Sequence, residues 1–378
     1  MAGSVRRIYE RVGFFVKITE IRLGSLSIPL KKPFKTALRT TDTVSSNIVE
    51  IRTDEGMCGY GEAPPTAAIT GDTDGSIRCS ISTRIAPVLI GRDVSELNDA
   101  LLALDRCIVG NTSAKAAVDI ALHDLWGKLH GQPLYKMLGG TYREISTDYT
   151  ISLNNPDEMV RDALEAIHEG YGALKIKVGN NFRHDMERIK AIRDSVGGDI
   201  LLRIDANQGW KPKEAIRAIR FMEDEGLDIE LVEQPVVYHD IEGLKCVTDA
   251  VETTILADES MYLPRDAMKL IGLRAADMLN IKLMKSGGIG GALKICAMAE
   301  AAGVDCMIGA MMESKVAVTA ATHLAMAHRC ITKYDLDPPI LCASDPVEGG
   351  VLYNGAVLGL AGAPGLGIAS IAGVEWEG

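Results

Sequence analysis

The 378-residue sequence has no apolar run long enough to cross a bilayer as a helix. It has no C-x-x-C pair. Its eight cysteines (58, 79, 107, 246, 296, 306, 330 and 342) sit mostly among apolar neighbours and read as reduced core residues of a cytoplasmic protein. It lacks an excess of basic residues: 40 Lys and Arg against 51 Asp and Glu give a net charge of −11. That balance argues against nucleic acid or an anionic membrane face as partner, while leaving room for a small ligand in a locally basic pocket. Low-complexity segments are absent. The leading stretch "MAGSVRRIYERVGFFVKI" carries arginines, but its apolar part is too short for a secretory signal. The first ~15 residues are expected to be a disordered extension or a start-site artefact. What is present is ordinary for a soluble enzyme, 47% apolar and 24% charged, in a chain too long for one small core.

Two textures divide the chain. Residues 16 to 66 alternate apolar and polar positions, as in "VKITEIRLGSLSIPL" and "SSNIVEIRTDEGMCGYGEA", with the turn signal "DEG" inside. A helical pattern follows, clearest in "NTSAKAAVDIALHDLWGKLHG", which has an Asn/Thr/Ser start and a stop at Gly131. Residues 1–140 therefore read as an α+β unit. From 141 to 344, eight short apolar runs alternate with amphipathic helical segments: "TDYTISL", "ALKIKVG", "LLRIDAN", "IELVEQP", "TILADES", "MLNIKLM", "DCMIGAM" and "TKYDLDP". Eight strands alternating with helices predict a closed parallel (β/α)-type barrel. The tail, 345–378, is glycine-rich without helical spacing and is expected to return to the first unit.

The second run poses a problem. Its Leu174, Ile176 and Val178 point one way, and Lys175 and Lys177 the other. A strand between two helices lies in a covered parallel sheet, so the two ammonium groups need a reason. Other runs also end in charge: Asp205, Glu233, Asp258, Lys282, and Asp335 with Asp337. The C-terminal ends of barrel strands carry active sites. Strand two faces strand six across an eight-stranded ring, so Lys177 and Lys282 are expected to oppose each other. Strands three, four and five bring Asp205, Glu233 and Asp258 onto one arc. Three converging carboxylates repel unless a cation sits among them, and all-oxygen ligation suits one Mg²⁺ per site. A competing arrangement lets two of the acids neutralise the two lysines. Lys175 adds supporting positive charge, and like charge with desolvation is expected to lower the ammonium pKa values, suiting a lysine to act as base. Two such bases on opposite faces of one carbon suit 1,1-proton transfer next to a carboxylate. Asp335 and Asp337 share a face on the opposite arc and suit a cationic amine, although Asp337 also stands where it would cap the "PPIL" turn.

At "KIKVG", "DANQGW", "VEQP", "ADES" and "NIKLMKSGG" the sequence resembles the enolase superfamily, in its muconate-lactonising subgroup, over nearly its whole length. The resemblance implies a modified (β/α)7β barrel under an N-terminal α+β capping domain. It implies Mg²⁺ at Asp205, Glu233 and Asp258, with Lys177 acting on the S (L) epimer and Lys282 on the R (D) epimer. "YDLDPP" resembles the D-x-D signature of dipeptide epimerases, whose acids take the substrate's α-ammonium. "KPFKTALRT" and "GEAPPTAAITGD" are similar to the capping loops of L-Ala-D/L-Glu epimerases. On that match Arg39 would face the glutamyl carboxylate, Ile69 would close the pocket and Thr150 would lie by the substrate. Ala310 departs from the pattern, where Ser or Thr is expected. Lys285 reads as a solvated loop lysine. "SGGIGGALK" lacks the third glycine of a dinucleotide loop, Leu293 standing there, and reads as the connection from the sixth strand to its helix. The function implied is epimerisation of a dipeptide's C-terminal residue in recycling of cell-wall peptides, by a homo-oligomer. Two other readings compete. An o-succinylbenzoate synthase-like or cycloisomerase activity would leave the D-x-D pair without a partner. A metal-free Schiff-base aldolase, or a dipeptide-binding barrel, would be insensitive to EDTA.

Overall fold

The computed structural model describes residues 15–36, 40–179 and 181–377. The leading segment and Arg39 lie outside the described residues.

Alternation of apolar and polar side chains draws the first strands into an antiparallel sheet: β1 (Ile18–Lys35), β2 (Thr40–Thr53) and β3 (Cys58–Ala63). The turn between β2 and β3 follows the "DEG" signal, with Gly56 at φ 77°. The helix Thr112–Leu129 packs on β3 and is buried on most of its circumference, so it needs neighbours on several sides. Its approach to β3 requires glycine, because a Cβ at residue 61 would lie 1.8 Å from Ala117 O. The expected Asn start is not a side-chain cap. Asn111 adopts φ 52°, and Asp72 Oδ2 instead accepts the Ser113 N–H at 3.0 Å.

All eight apolar runs are strands of one parallel sheet, neighbours in chain order. After the short β4 (Ile145–Ser146) come β5 (Tyr149–Ile151), β6 (Ala173–Lys177), β7 (Leu201–Asp205), β8 (Ile229–Glu233), β9 (Thr254–Ala257), β10 (Met278–Ile281), β11 (Asp305–Gly309) and β12 (Ile331–Asp335). The sheet curls until its two edge strands nearly meet. Asp148 N donates to Tyr334 O at 3.1 Å, and Thr150 N donates to Asp337 Oδ2 at 2.7 Å. A barrel of this kind has two cores. Leu174, Ile176, Leu202, Ile204 and Val232 join the large apolar cluster beneath the helices. Leu231, Leu256, Met278 and Met307 form a separate small cluster. Above that inner cluster the interior is charged. Lys175 on β6 reaches Asp335 on β12 and Glu233 on β8, neither of them on a neighbouring strand, so its side chain crosses the lumen. That accounts for the ammonium-bearing face of "ALKIKVG".

In the tail, β13 (Val347–Gly349) pairs with β16 (Ile368–Ile371), and β14 (Val351–Asn354) with β15 (Val357–Leu360), which also pairs with β4. The last strand, β17 (Glu375–Trp376), adds to the free edge of β1. Asp124, on the helix 112–129, accepts the Leu366 N–H at 2.8 Å. All eight cysteines are free thiols, but the expected core placement holds for only four: Cys296, Cys306, Cys330 and Cys342 are buried. Cys79 and Cys246 lie on solvent-facing helix positions, while Cys58 and Cys107 are half-buried. Among the described residues no helix is long and apolar enough to cross a membrane.

Candidate active site

The C-terminal rim of the barrel collects the charged residues singled out in the sequence. Lys177, Asp205, Glu233 and Asp335 end β6, β7, β8 and β12; Asp258 and Lys282 stand one residue beyond β9 and β10. Parallel pairing sets Lys177 beside Asp205, and Asp205 beside Glu233. All are buried. Lys177 Nζ donates to Asp205 Oδ2 at 2.6 Å, and Lys282 Nζ to Asp258 Oδ2 at 2.8 Å. Each of the two lysines thus pairs with one acid of the arc. Lys175 Nζ lies 2.7 Å from Asp335 Oδ2, 3.0 Å from Asp205 Oδ2 and 2.7 Å from Glu233 Oε2. The last contact is off the hydrogen-bonding direction, and Glu233 Oε2 keeps no hydrogen bond.

Lys285 corrects the reading as a solvated loop lysine. It is wholly buried and donates to the Asp258 carboxylate, to Asp258 O at 2.5 Å and to Asn280 O at 3.0 Å. Its spacing was the available signal: a second lysine one helical turn after Lys282, at the active face of the barrel. The expected lowering of the ammonium pKa values also fails for two of the lysines. Burial alone would lower Lys282, but Asp258 and Glu233 outweigh it and hold the group above its ordinary value. Lys175 is raised likewise, against burial, by Asp205, Asp335 and Glu233. Lys285 is lowered, by burial.

The carboxylates divide. Burial opposes the charge of Asp205 and Asp258, yet the adjacent lysines hold both well below the usual carboxylate range. Burial and the neighbouring Asp205 push Glu233 up to about 7, and burial with Asp258 pushes Glu259 up to about 8. Six buried carboxyl groups (Asp205, Glu233, Asp258, Glu259, Asp335 and Asp337) share the rim with four lysines, a surplus of two acids. Glu259 Oε2 and Asn207 Oδ1 are buried acceptors with no donor, and Glu233 Oε2 has only the ion-pair contact with Lys175. Among the described residues no three His, Cys, Asp or Glu side chains stand gathered as a ready metal cage, because lysine ammoniums lie between the acids. The surplus of acids and the unpartnered oxygens nevertheless fit a hard divalent cation at Asp205, Glu233 and Asp258. Glu259 and Asn207 were not singled out in the sequence; the motifs "ADES" and "DANQGW" contain them.

Lys177 and Lys282 line one cavity together with Lys175, Thr150, Asp335 and Asp337. The D-x-D pair is not free, and it is not remote from the acid arc. Asp335 is held by Lys175, which also touches Asp205 and Glu233. Asp337 accepts the Thr150 N–H, and burial beside Asp335 pushes it up to about 7. It occupies the cap position of Pro338–Leu341 but makes no side-chain cap bond there. Ile69 and Phe34 of the capping unit and Ala310 of the barrel complete the wall. The Tyr262 hydroxyl donates to Ile69 O, and Leu153 N donates to Lys35 O at 3.0 Å, so both capping segments are tied to the barrel.

Comparison with known proteins places this architecture. Residues 158–371 match the family "Enolase C-terminal domain-like", and residues 18–139 match "Mandelate racemase / muconate lactonizing enzyme, N-terminal domain". The L-Ala-D/L-Glu epimerase of Clostridium acetobutylicum is 54% identical over 94% of this chain and 99% of its own. A substrate-liganded complex of the L-Ala-D/L-Glu epimerase from Bacillus subtilis superimposes with a TM-score of 0.93 at 51% identity, covering 94% of this chain and 99% of that one. A dipeptide epimerase from Enterococcus faecalis, complexed with Mg and L-Leu-L-Tyr, gives 0.91 at 44% identity over 94% and 100%. Barrel, cap and rim thus coincide with matches over most of the sequence, and the chain belongs to the mandelate racemase/muconate lactonizing enzyme family of the enolase superfamily.

Proposed function

We propose that this chain is a Mg²⁺-dependent epimerase acting on the C-terminal residue of dipeptides, with L-Ala-D-Glu and L-Ala-L-Glu as its substrate pair. One observation carries the reading: lysines from the second and sixth barrel strands, Lys177 and Lys282, line the same cavity as the acids Asp335 and Asp337. Asp205, Glu233 and Asp258 would hold one Mg²⁺. When bound, the ion supplies positive charge for a substrate carboxylate whose α-carbon is losing a proton. One lysine Nζ, as the neutral amine, takes that proton and becomes an ammonium, the electron pair passes into the enediolate, and the opposite lysine, as the ammonium, delivers its proton to the other face. Asp335 and Asp337 would take the α-ammonium and so orient the reacting carbon. Lys175 supports Asp335, Thr150 borders the substrate and Ile69 closes the pocket; Arg39, outside the described residues, is assigned to the glutamyl carboxylate on the resemblance of "KPFKTALRT" alone. The homologues' names support the Ala-Glu assignment. The free cysteines fit a cytoplasmic location, while a homo-oligomer and a part in recycling cell-wall peptides rest on the family resemblance alone. A Schiff-base aldolase fits less well: Lys285, the lysine whose ammonium is lowered, does not line the cavity.

The test is incubation of L-Ala-L-Glu and L-Ala-D-Glu in D₂O with Mg²⁺. Deuterium is expected at the α-carbon of the glutamyl residue, with inversion. Lys177→Ala and Lys282→Ala should each lower epimerisation by roughly 10²- to 10⁴-fold, each keeping exchange on a single epimer. Absence of exchange on either dipeptide with the unmodified chain would overturn the reading.

A further inference from the structure

We infer, resting on the function proposed above, that Asp119 of the capping unit is a positioning residue for Lys282. The glycine-rich "SGGIGG" that follows Lys282 is the cradle through which Asp119 acts. Asp119 lies on the helix Thr112–Leu129 and is only 3% exposed. Its carboxylate accepts the Ile289 N–H at 2.6 Å and the Gly290 N–H at 3.1 Å. These N–H groups open the helix Ile289–Ala302, where a negative charge is favoured. The carboxylate can reach them only because residue 288 has no side chain. Gly288 adopts φ 108°, and a Cβ there would lie 2.4 Å from both Cβ and Cγ of Asp119. His123 holds the acid from behind, its Nδ1 lying 2.8 Å from Asp119 O and 3.2 Å from Oδ1.

From this clamp back to Lys282 the chain has no slack. Gly288 N donates to Leu283 O at 2.9 Å, and Lys285 N and Ser286 N donate to Lys282 O at 2.9 and 3.0 Å. A Cβ at residue 291 would lie 2.0 Å from Ser286 O, so the helix start also rests against this turn. Displacement of Ile289 is therefore passed through a closed turn to the Lys282 backbone. The segment after Lys177 is fixed differently, from inside the barrel, where Gly179 N donates to Asp185 Oδ2 at 3.0 Å. Asp119 thus reaches one of the two proposed bases and not the other. A loss at Asp119 should be stereochemically one-sided, which a general loss of stability would not be.

The experiment compares the full-length chain with Asp119→Ala, Gly288→Ala and Asp119→Asn, in D₂O with Mg²⁺, following α-deuterium exchange from L-Ala-D-Glu and L-Ala-L-Glu separately. In Asp119→Ala and Gly288→Ala, exchange from the D-epimer, served by Lys282, should fall by roughly 10- to 100-fold. Exchange from the L-epimer, served by Lys177, should stay within about twofold, with KM unchanged for both. Asp119→Asn keeps one acceptor oxygen and should recover part of the loss. Retained exchange from the L-epimer also shows that the variant is folded; should Asp119→Ala fail to fold, the other two variants carry the same comparison. Equal losses on both epimers, or none on either, would refute the positioning role. No exchange by the unmodified chain would instead overturn the functional reading.

Discussion

Lys175 is the residue on which the charge balance of the rim turns. Its ammonium lies within 3.0 Å of oxygens from Asp205, Glu233 and Asp335, in a position only 1% exposed. Removing one member of a buried ionic cluster leaves the others without compensation, which costs more than the pairing itself contributes. Lys175→Met keeps much of the side chain's volume and removes only the charge. It is expected to lower the free energy of unfolding by about 3 to 5 kcal/mol, read from urea denaturation in EDTA. A change below about 1 kcal/mol would mean that the acids take up protons and tolerate the loss. Lysine chemistry was also the hardest feature to read in advance. A sequence shows which charges share a rim but not their stoichiometry there, and the surplus of acids raises Lys282 where like charge alone would have lowered it. Lys285 escaped for a related reason, because loop position suggested solvent while the turn 283–286 folds it inward under Asp258.

At the scale of elements, the seam between β5 and β12 binds fold to site. Asp337 closes it by accepting the Thr150 N–H at 2.7 Å, and the same carboxylate faces the cavity. The two roles separate by substitution. Asn at 337 keeps an acceptor for Thr150 but no negative charge, whereas Ala keeps neither. Asp337→Asn is therefore expected to unfold within about 1 kcal/mol of the unmodified chain while raising KM for dipeptides at least about tenfold, as for loss of a charge-assisted contact. Asp337→Ala should show the same KM defect together with lost stability from the opened seam. Thermal melts and steady-state kinetics on both variants decide; a KM unchanged in Asp337→Asn would remove the ammonium-binding role. The strands themselves were legible. The clearest barrel runs, β6 and β7, set apolar residues under the helices and charged ones (Lys175 and Lys177, Arg203 and Asp205) into the lumen, and that period of two survives in the sequence. Helix starts were less so: Asn111 has the residue type of a cap, but Asp72 supplies the acceptor.

For the whole molecule, the contacts that set the cap on the barrel join residues far apart in sequence. Asp119 meets Ile289 across 170 positions, and Glu62 meets the Ser314 N–H, at 2.7 Å, across 252. No periodicity encodes such pairs. A buried acid on a capping helix or strand is indistinguishable in sequence from one in an ordinary ion pair. The summed charge of the rim is the other property that belongs to the molecule rather than to any motif. Six buried carboxyl groups against four lysines leave a surplus of two acids, and burial makes ionising that surplus costly without a further cation. A ligand that binds only the folded state stabilises it in proportion to its saturation. Addition of Mg²⁺ to the EDTA-treated chain, at about 100 times its dissociation constant, is therefore expected to stabilise it by about 2.7 kcal/mol, with a matching rise in melting temperature. Na⁺ at equal ionic strength should not do this, because screening of buried charge by salt is weak. Asp205→Asn, Glu233→Gln and Asp258→Asn should each abolish the Mg²⁺-dependent part of the shift. If the melting temperature rises equally with and without these three acids, the ion binds elsewhere, and the excess charge at the rim must be met by protons on Glu233 and Glu259.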